Sequence, residues 1–107
     1  MNQSSYPDLT ELTEVDRLIH EPARMAIMAA LFGCDSADFR FLISVTGLSK
    51  GNLSAHASKL EEAGYIAIHK SFRGKVPQTE YRLTHRGRAA FAAYRATLRS
   101  MLGELDQ

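Results

Sequence analysis

The chain has one cysteine, Cys34, so no disulfide framework forms within it. It has no tryptophan and only three prolines, and no apolar run approaches the ~20 residues that span a bilayer. Its opening, MNQSSYPDLTEL, has neither a basic stretch nor an apolar one and does not read as a secretory signal. A cytoplasmic protein without membrane attachment is therefore the expectation. The four histidines, His20, His56, His69 and His85, show no zinc-ligand spacing with Cys34. No metal and no cofactor are expected. No nucleophile–base pair, phosphate-cradling glycine loop or carboxylate dyad stands out, which argues against an enzyme.

Net charge is also small, +1, and by itself points to no partner. Its distribution says more. Residues 1–38 carry seven acids against Arg17 and Arg24, whereas residues 49–88 carry eight bases against Glu61, Glu62 and Glu80. The positive charge is gathered on one segment, as a surface that meets phosphate requires.

What is present is enough apolar content, 45% of 107 residues, for one domain with a modest core. Residues 1–10 are polar, contain Pro7 and read as a flexible arm, which leaves 11–107 as the domain. Leu12, Val15 and Ile19 fall on one stripe, which predicts a first helix of about ten residues capped at Thr10 or Thr13. Pro22 stops that helix and suits the first turn of a second, Pro22 to Phe32, which Gly33 ends. Asp38 can cap a short third helix with Phe39, Leu42 and Ile43 inward, though Phe39 could instead lie in a brief β-bridge.

The centre of the chain is Thr46-Gly47-Leu48-Ser49, where the third helix ends and a fourth is capped. That fourth helix, residues 49–64, turns Leu53, Ala57 and Leu60 inward and Gly51, Ala55, Ser58 and Glu62 outward. Asn52, Ser54 and Lys59 flank the outer face. Small residues there let a helix lie close to groove walls. Asn can pair with adenine, Ser donates and accepts, and Ala touches a thymine methyl. Tyr65 to His69 and Thr79 to Leu83 alternate as strands of a hairpin, with a long loop predicted over Arg73 to Gln78. Thr84 then caps a last helix of about 20 residues, 84–105. Its stripe of Phe91, Tyr94, Leu98, Met101 and Leu105, with Leu102 beside it, is longer than a domain of this size covers. The surplus predicts pairing with a second copy. The competing reading folds the stripe back on the first helix.

Helix, glycine turn, helix and hairpin make a winged helix-turn-helix, an α+β and mainly helical fold. The runs Asp38-Phe39-Arg40-Phe41-Leu42, Thr46-Gly47-Leu48-Ser49-Lys50-Gly51-Asn52-Leu53-Ser54 and Lys59-Leu60-Glu61-Glu62-Ala63-Gly64-Tyr65 carry a family resemblance. So do Tyr81-Arg82-Leu83-Thr84, Gly87-Arg88-Ala89-Ala90-Phe91 and the opening Ile19-His20-Glu21-Pro22-Ala23-Arg24. Together they resemble the small stand-alone winged-helix regulators related to the MarR and ArsR groups. The resemblance implies a homodimeric, DNA-binding transcription regulator. The chain departs from that pattern at Ala57, where a large aliphatic is usual, and in a wing with Val76 and Gln78 where arginine is commoner.

From the residues and the resemblance together, the candidate DNA contacts are Arg40, Ser49, Lys50, Gly51, Asn52, Ser54, Ala55, Ser58, Lys59, Arg73 and Lys75. The fourth helix is expected in the major groove and a wing at 72–79 on the flanking backbone. The candidate dimer interface is Leu12, Phe91, Tyr94, Leu98, Met101, Leu102 and Leu105. The expected partners are double-stranded DNA with a near-palindromic site and a second copy of the chain. A protein-binding winged helix without DNA affinity is the alternative. A ligand-gated sensor is a third reading, with no effector indicated.

Overall fold

The computed structural model describes residues 7–105, the Glu104 side chain excepted. Most of the expected arm lies outside the described residues. The chain runs α1 (Thr10–Thr13), α2 (Pro22–Phe32), β1 (Ala37–Asp38), α3 (Phe39–Thr46), α4 (Lys50–Glu62), β2 (Ile66–Arg73), β3 (Val76–Leu83) and α5 (His85–Glu104). It is an α+β winged helix, mainly helical, with one three-stranded antiparallel sheet in the order β1-β3-β2.

The ten-residue first helix is not formed, because α1 stops after one turn at Thr13. Asp16 is the reason. Its Oδ1 accepts from the Leu18 and Ile19 amides at 2.9 and 3.2 Å, and its carbonyl accepts from the His20 amide at 2.8 Å. A carboxylate that satisfies amides two and three residues on starts a new turn and competes with the helix ladder. The apolar stripe still does its work: Ile19 is fully buried, and Val15 and Leu18 pack against the core. The Tyr65 hydroxyl donates to the other oxygen of Asp16, tying this segment to the end of α4. That bond, reinforced by burial, raises the Tyr65 pKa.

The helix α2 begins and ends where Pro22 and Gly33 predict. Its N-cap is Glu21, whose carboxylate accepts from the Ala23 and Arg24 amides at 3.1 and 2.9 Å. Arg24 lies at 3.7 Å and His56 of α4 at 3.5 Å from that carboxylate. The Arg24 amide does most to lower the Glu21 pKa, against some desolvation. A depressed carboxylate pKa contributes stability above its unfolded value that is lost as pH falls through the folded one. Glu21→Ala should therefore cost about 1 kcal/mol near neutrality. In paired chemical denaturation curves, the difference between the two proteins should shrink toward zero below the carboxylate range.

Asp38 caps α3, accepting from the Phe41 amide at 2.8 Å. The β-bridge falls on Ala37 and Asp38, which pair with Tyr81 and Glu80, so Phe39 opens the helix. Gly47, at φ +70°, ends α3 in a conformation that side-chain-bearing residues avoid. Ser49 then caps α4, accepting from the Asn52 amide at 3.1 Å. Leu53, Ala57 and Leu60 of α4 are buried beside Ile27, Met28 and Leu31 of α2 and Leu42 of α3.

The strands of the hairpin are longer than the alternation at residues 65–69 and 79–83 suggests. Pairing continues to Arg73 opposite Val76, so only Gly74 and Lys75 form the turn. Gly74 has φ +65°, while no residue other than glycine has positive φ among the described residues. One left-handed glycine at the first turn position is the type II′ pattern, whose twist matches the strands. Pro77 reads as a loop residue because it cannot donate to a ladder. Here it sits beyond the last pairing with β1, at Glu80, where its missing N–H faces an open edge.

Thr84 caps α5, accepting from the Gly87 amide at 3.0 Å. Phe91 and Tyr94 join the core. Phe91 packs on Phe32 with ring centroids 5.2 Å apart, and the Tyr94 hydroxyl hydrogen-bonds His20 Nδ1 at 2.8 Å. Leu98 lies at the core edge and Met101 is buried, whereas Leu102 and Leu105 are each 52% exposed.

Candidate nucleic-acid interface

The inward face of α4 leaves its other face to solvent. Lys50, Gly51, Asn52, Ser54, Ala55, Ser58 and Lys59 are all exposed, as are Ser49 before the helix and Arg40, Arg73 and Lys75 around it. The Ser49 hydroxyl is already engaged as the cap. A Cβ on Gly51 would meet no atom within 4 Å, so nothing in the fold requires glycine there. Glycine inside a helix costs roughly 0.5–1 kcal/mol relative to alanine, and here it leaves the exposed surface of α4 without a side chain at that point.

Arg40 and Lys50, ten residues apart in the chain, line one open depression with Phe39, Ile43 and Ser44, about 490 Å³ in volume. Arg40 also borders a smaller recess with Pro77, Gln78 and Thr79 of β3. It thus stands between the start of α4 and the wing. Asp38 shares that recess and offsets part of the charge there.

Further along the same side of α4, Ser54 and Ser58 line a hollow of about 180 Å³ with Ala57, Phe39, Ile68, Lys70, Thr79 and Tyr81. The missing aliphatic side chain at position 57 is thus open space between α4 and the root of the wing. Burial, with a smaller contribution from Glu61, raises the pKa of Tyr81 there, so its hydroxyl stays protonated at neutral pH. Lys70 is the residue that sequence reasoning passes over. The signal for it was strand alternation: Ile66, Ile68 and Lys70 share one side of β2, and that side faces α4.

The result is a strip of small and polar side chains on α4, with Arg40 and Lys50 near its start and Lys70 of the wing beside Ser54 and Ser58, while Arg73 and Lys75 are exposed toward the wing tip. Lys59 extends the positive charge toward the far end of the helix. Among the described residues, no cluster of three or more His, Cys, Asp or Glu could hold a metal ion. No described helix is long and apolar enough to cross a membrane. The Cys34 thiol donates weakly to the Ala30 carbonyl at 3.4 Å and is half-buried.

Residues 23–102 match the model of a winged helix DNA-binding domain. An uncharacterized protein of Methanocaldococcus jannaschii is 35% identical over 79 residues, covering 73% of this chain and 85% of that one. A transcriptional regulator homologue from Pyrococcus horikoshii OT3 superposes with a TM-score of 0.84 at 27% identity, covering 91% of this chain and 98% of its own. A MarR-family regulator structure from Enterococcus faecalis V583 superposes with a TM-score of 0.76 at 18% identity, over 99% and 96% of the two chains.

Proposed function

The chain belongs to the winged helix DNA-binding domain family, and on that premise we propose that it is a homodimeric, sequence-specific transcription regulator. Family and fold point to a DNA-binding regulator and away from an enzyme. The observation that carries the finer reading is the exposed strip on α4, small-sided and flanked by cations from α3 and the wing. Small side chains allow a helix to approach base edges, and flanking Lys and Arg hold the backbone. In this reading α4 enters the major groove and Asn52, Ser54, Ala55 and Ser58 meet base edges. Arg40, Lys50, Lys59, Lys70, Arg73 and Lys75 hold phosphates. Two-fold pairing through α5 then calls for a near-palindromic site with half-sites about one helical turn apart.

Selection from a random-sequence duplex pool, followed by salt titration, tests this. A recovered near-palindrome with a steep salt slope is the expected result. Replacing Lys50, Lys59, Arg73 and Lys75 together by Glu should weaken binding roughly hundredfold or more and flatten the slope. Binding without sequence preference or salt dependence in the wild-type chain would exclude the proposal.

One observation favours a protein-binding alternative: Phe72 and Val76 expose apolar surface at the wing tip, at 72% and 64%. No DNA affinity at low salt, with the four charge reversals changing nothing, would favour that reading.

A further inference from the structure

Phe72 is the most exposed large apolar side chain among the described residues. A lone exposed Phe needs no explanation. This one is not alone. Pro77 stands directly across the hairpin from it, and exposed Val76 is next to Pro77. Alternation sets Phe72 and Pro77 on the same side of the hairpin as Lys70 and Thr79, two of the residues that face α4 across the hollow. Pairing with β1 ends at Glu80, so the hairpin projects free of the core for roughly 10 Å beyond it. A two-residue turn, Gly74 and Lys75, closes the tip.

Charge identifies the partner. Lys70 shares the side of the apolar pair, Arg73 follows Phe72 on the opposite side, Lys75 lies in the turn, and the one acid on either strand is Glu80, at the root. A tip that is apolar at its centre and cationic at its edges suits a surface with apolar walls and a strongly negative setting. The minor groove of DNA has both: deoxyribose faces form its walls, and phosphates line its rims. Apolar wedges, Phe and Pro among them, are used there to lodge against flexible base steps.

We infer that Phe72, braced by Pro77, is the wing's anchor in the minor groove beside each half-site, with Arg73 and Lys75 on the two phosphate rims. This rests on the DNA-binding reading above and adds to it a contact that carries no charge. It also assigns the flanking base steps a role: pyrimidine–purine steps, which open easily, should be preferred where the tip lodges.

The test uses the full chain and the duplex recovered by selection. Phe72→Ala should bind that duplex roughly tenfold or more weakly per half-site. Its salt slope should be unchanged, since no counterion is released by an apolar contact. Hydroxyl-radical protection of the sugars flanking the half-sites should disappear, while protection over the half-sites persists. Phe72→Leu, which keeps an apolar tip, should retain most of the affinity. Equal thermal melting of the variants and wild type excludes a folding defect at this exposed position. Wild-type affinity and flanking protection in Phe72→Ala would overturn the inference alone. A wild-type chain that retains no DNA would overturn it together with the proposed function.

Discussion

Gly87→Ala is expected to lose at least about 3 kcal/mol of stability, enough to abolish soluble expression or depress the melting temperature by more than about 12 °C. Helix propensity alone predicts the opposite, because alanine stabilises a helix interior by roughly 0.5–1 kcal/mol relative to glycine. Contact geometry decides the sign. A Cβ at position 87 would lie 1.9 Å from the Tyr65 carbonyl oxygen, 2.7 Å from its carbon and 2.9 Å from its Cα. All three are backbone atoms, so no rotamer change relieves the collision. The two segments cannot simply separate either. The Thr84 amide donates to the Tyr65 carbonyl at 3.0 Å, and the Thr84 hydroxyl donates to the Gly64 carbonyl at 2.6 Å while accepting from the Gly87 amide. Moving α5 away from β2 would therefore break its cap and carry Phe91 and Tyr94 out of the core. Gly51→Ala is the internal control, since its Cβ meets open space. A thermal melt of the two variants separates them: position 51 should be neutral or slightly stabilised, and position 87 should not tolerate the change.

That contrast shows what was legible in the chain and what was not. Gly51 and Gly87 look alike in sequence, each in the first turn of a helix after a Ser or Thr cap. Only long-range packing distinguishes them. Features set by neighbouring residues were readable: Pro22 and Gly33 bounding α2, Asp38, Ser49 and Thr84 capping their helices, and the 3.6-residue period that turns Leu53, Ala57 and Leu60 inward. Features set by competition or distant contact were not. The stripe of Leu12, Val15 and Ile19 gave no warning that Asp16 would break the helix, because a carboxylate's choice between solvent and backbone amides is not a matter of periodicity. Likewise Pro77 suggested a loop, since its tolerance depends on where β1 ends, some forty residues earlier in the chain. The outer face of α4 followed from the helical period. Its continuation to Lys70 depended on which side of β2 faces α4, which only the assembled fold supplies.

Replacing Leu102 and Leu105 together by Asp is expected to convert a dimer to a monomer and to weaken binding of the selected near-palindrome by a factor on the order of 10²–10⁴. The reason lies in the length of α5. Twenty residues extend about 30 Å, and the first half uses its apolar side chains on the chain's own core, through Phe91 and Tyr94. The first helix of the same chain, α1, packs against part of α5, as the competing reading of the stripe expects. Met101 is covered, but Leu102 and Leu105 stand half-exposed in a molecule 67 Å long and 25 by 20 Å across. Of the seven residues whose apolar character suggests a dimer interface, Phe91 and Tyr94 thus serve the core. Leu98, Leu102 and Leu105 offer surface to a partner. Affinity gives dimerisation its consequence. Each protomer brings a limited set of cations and one small-sided helix, so a single half-site should bind weakly. Linking two converts the second contact into an intramolecular one. Substitutions at exposed positions ordinarily change stability by no more than about 0.5 kcal/mol. The double variant should therefore fold, which circular dichroism checks. Sedimentation equilibrium should show wild-type dimer and variant monomer. The wild-type melting temperature should rise with protein concentration while the variant's does not. A variant that remains dimeric would move the interface elsewhere on the surface. A wild-type chain that is monomeric yet binds the palindrome tightly would remove α5 from the account of affinity altogether.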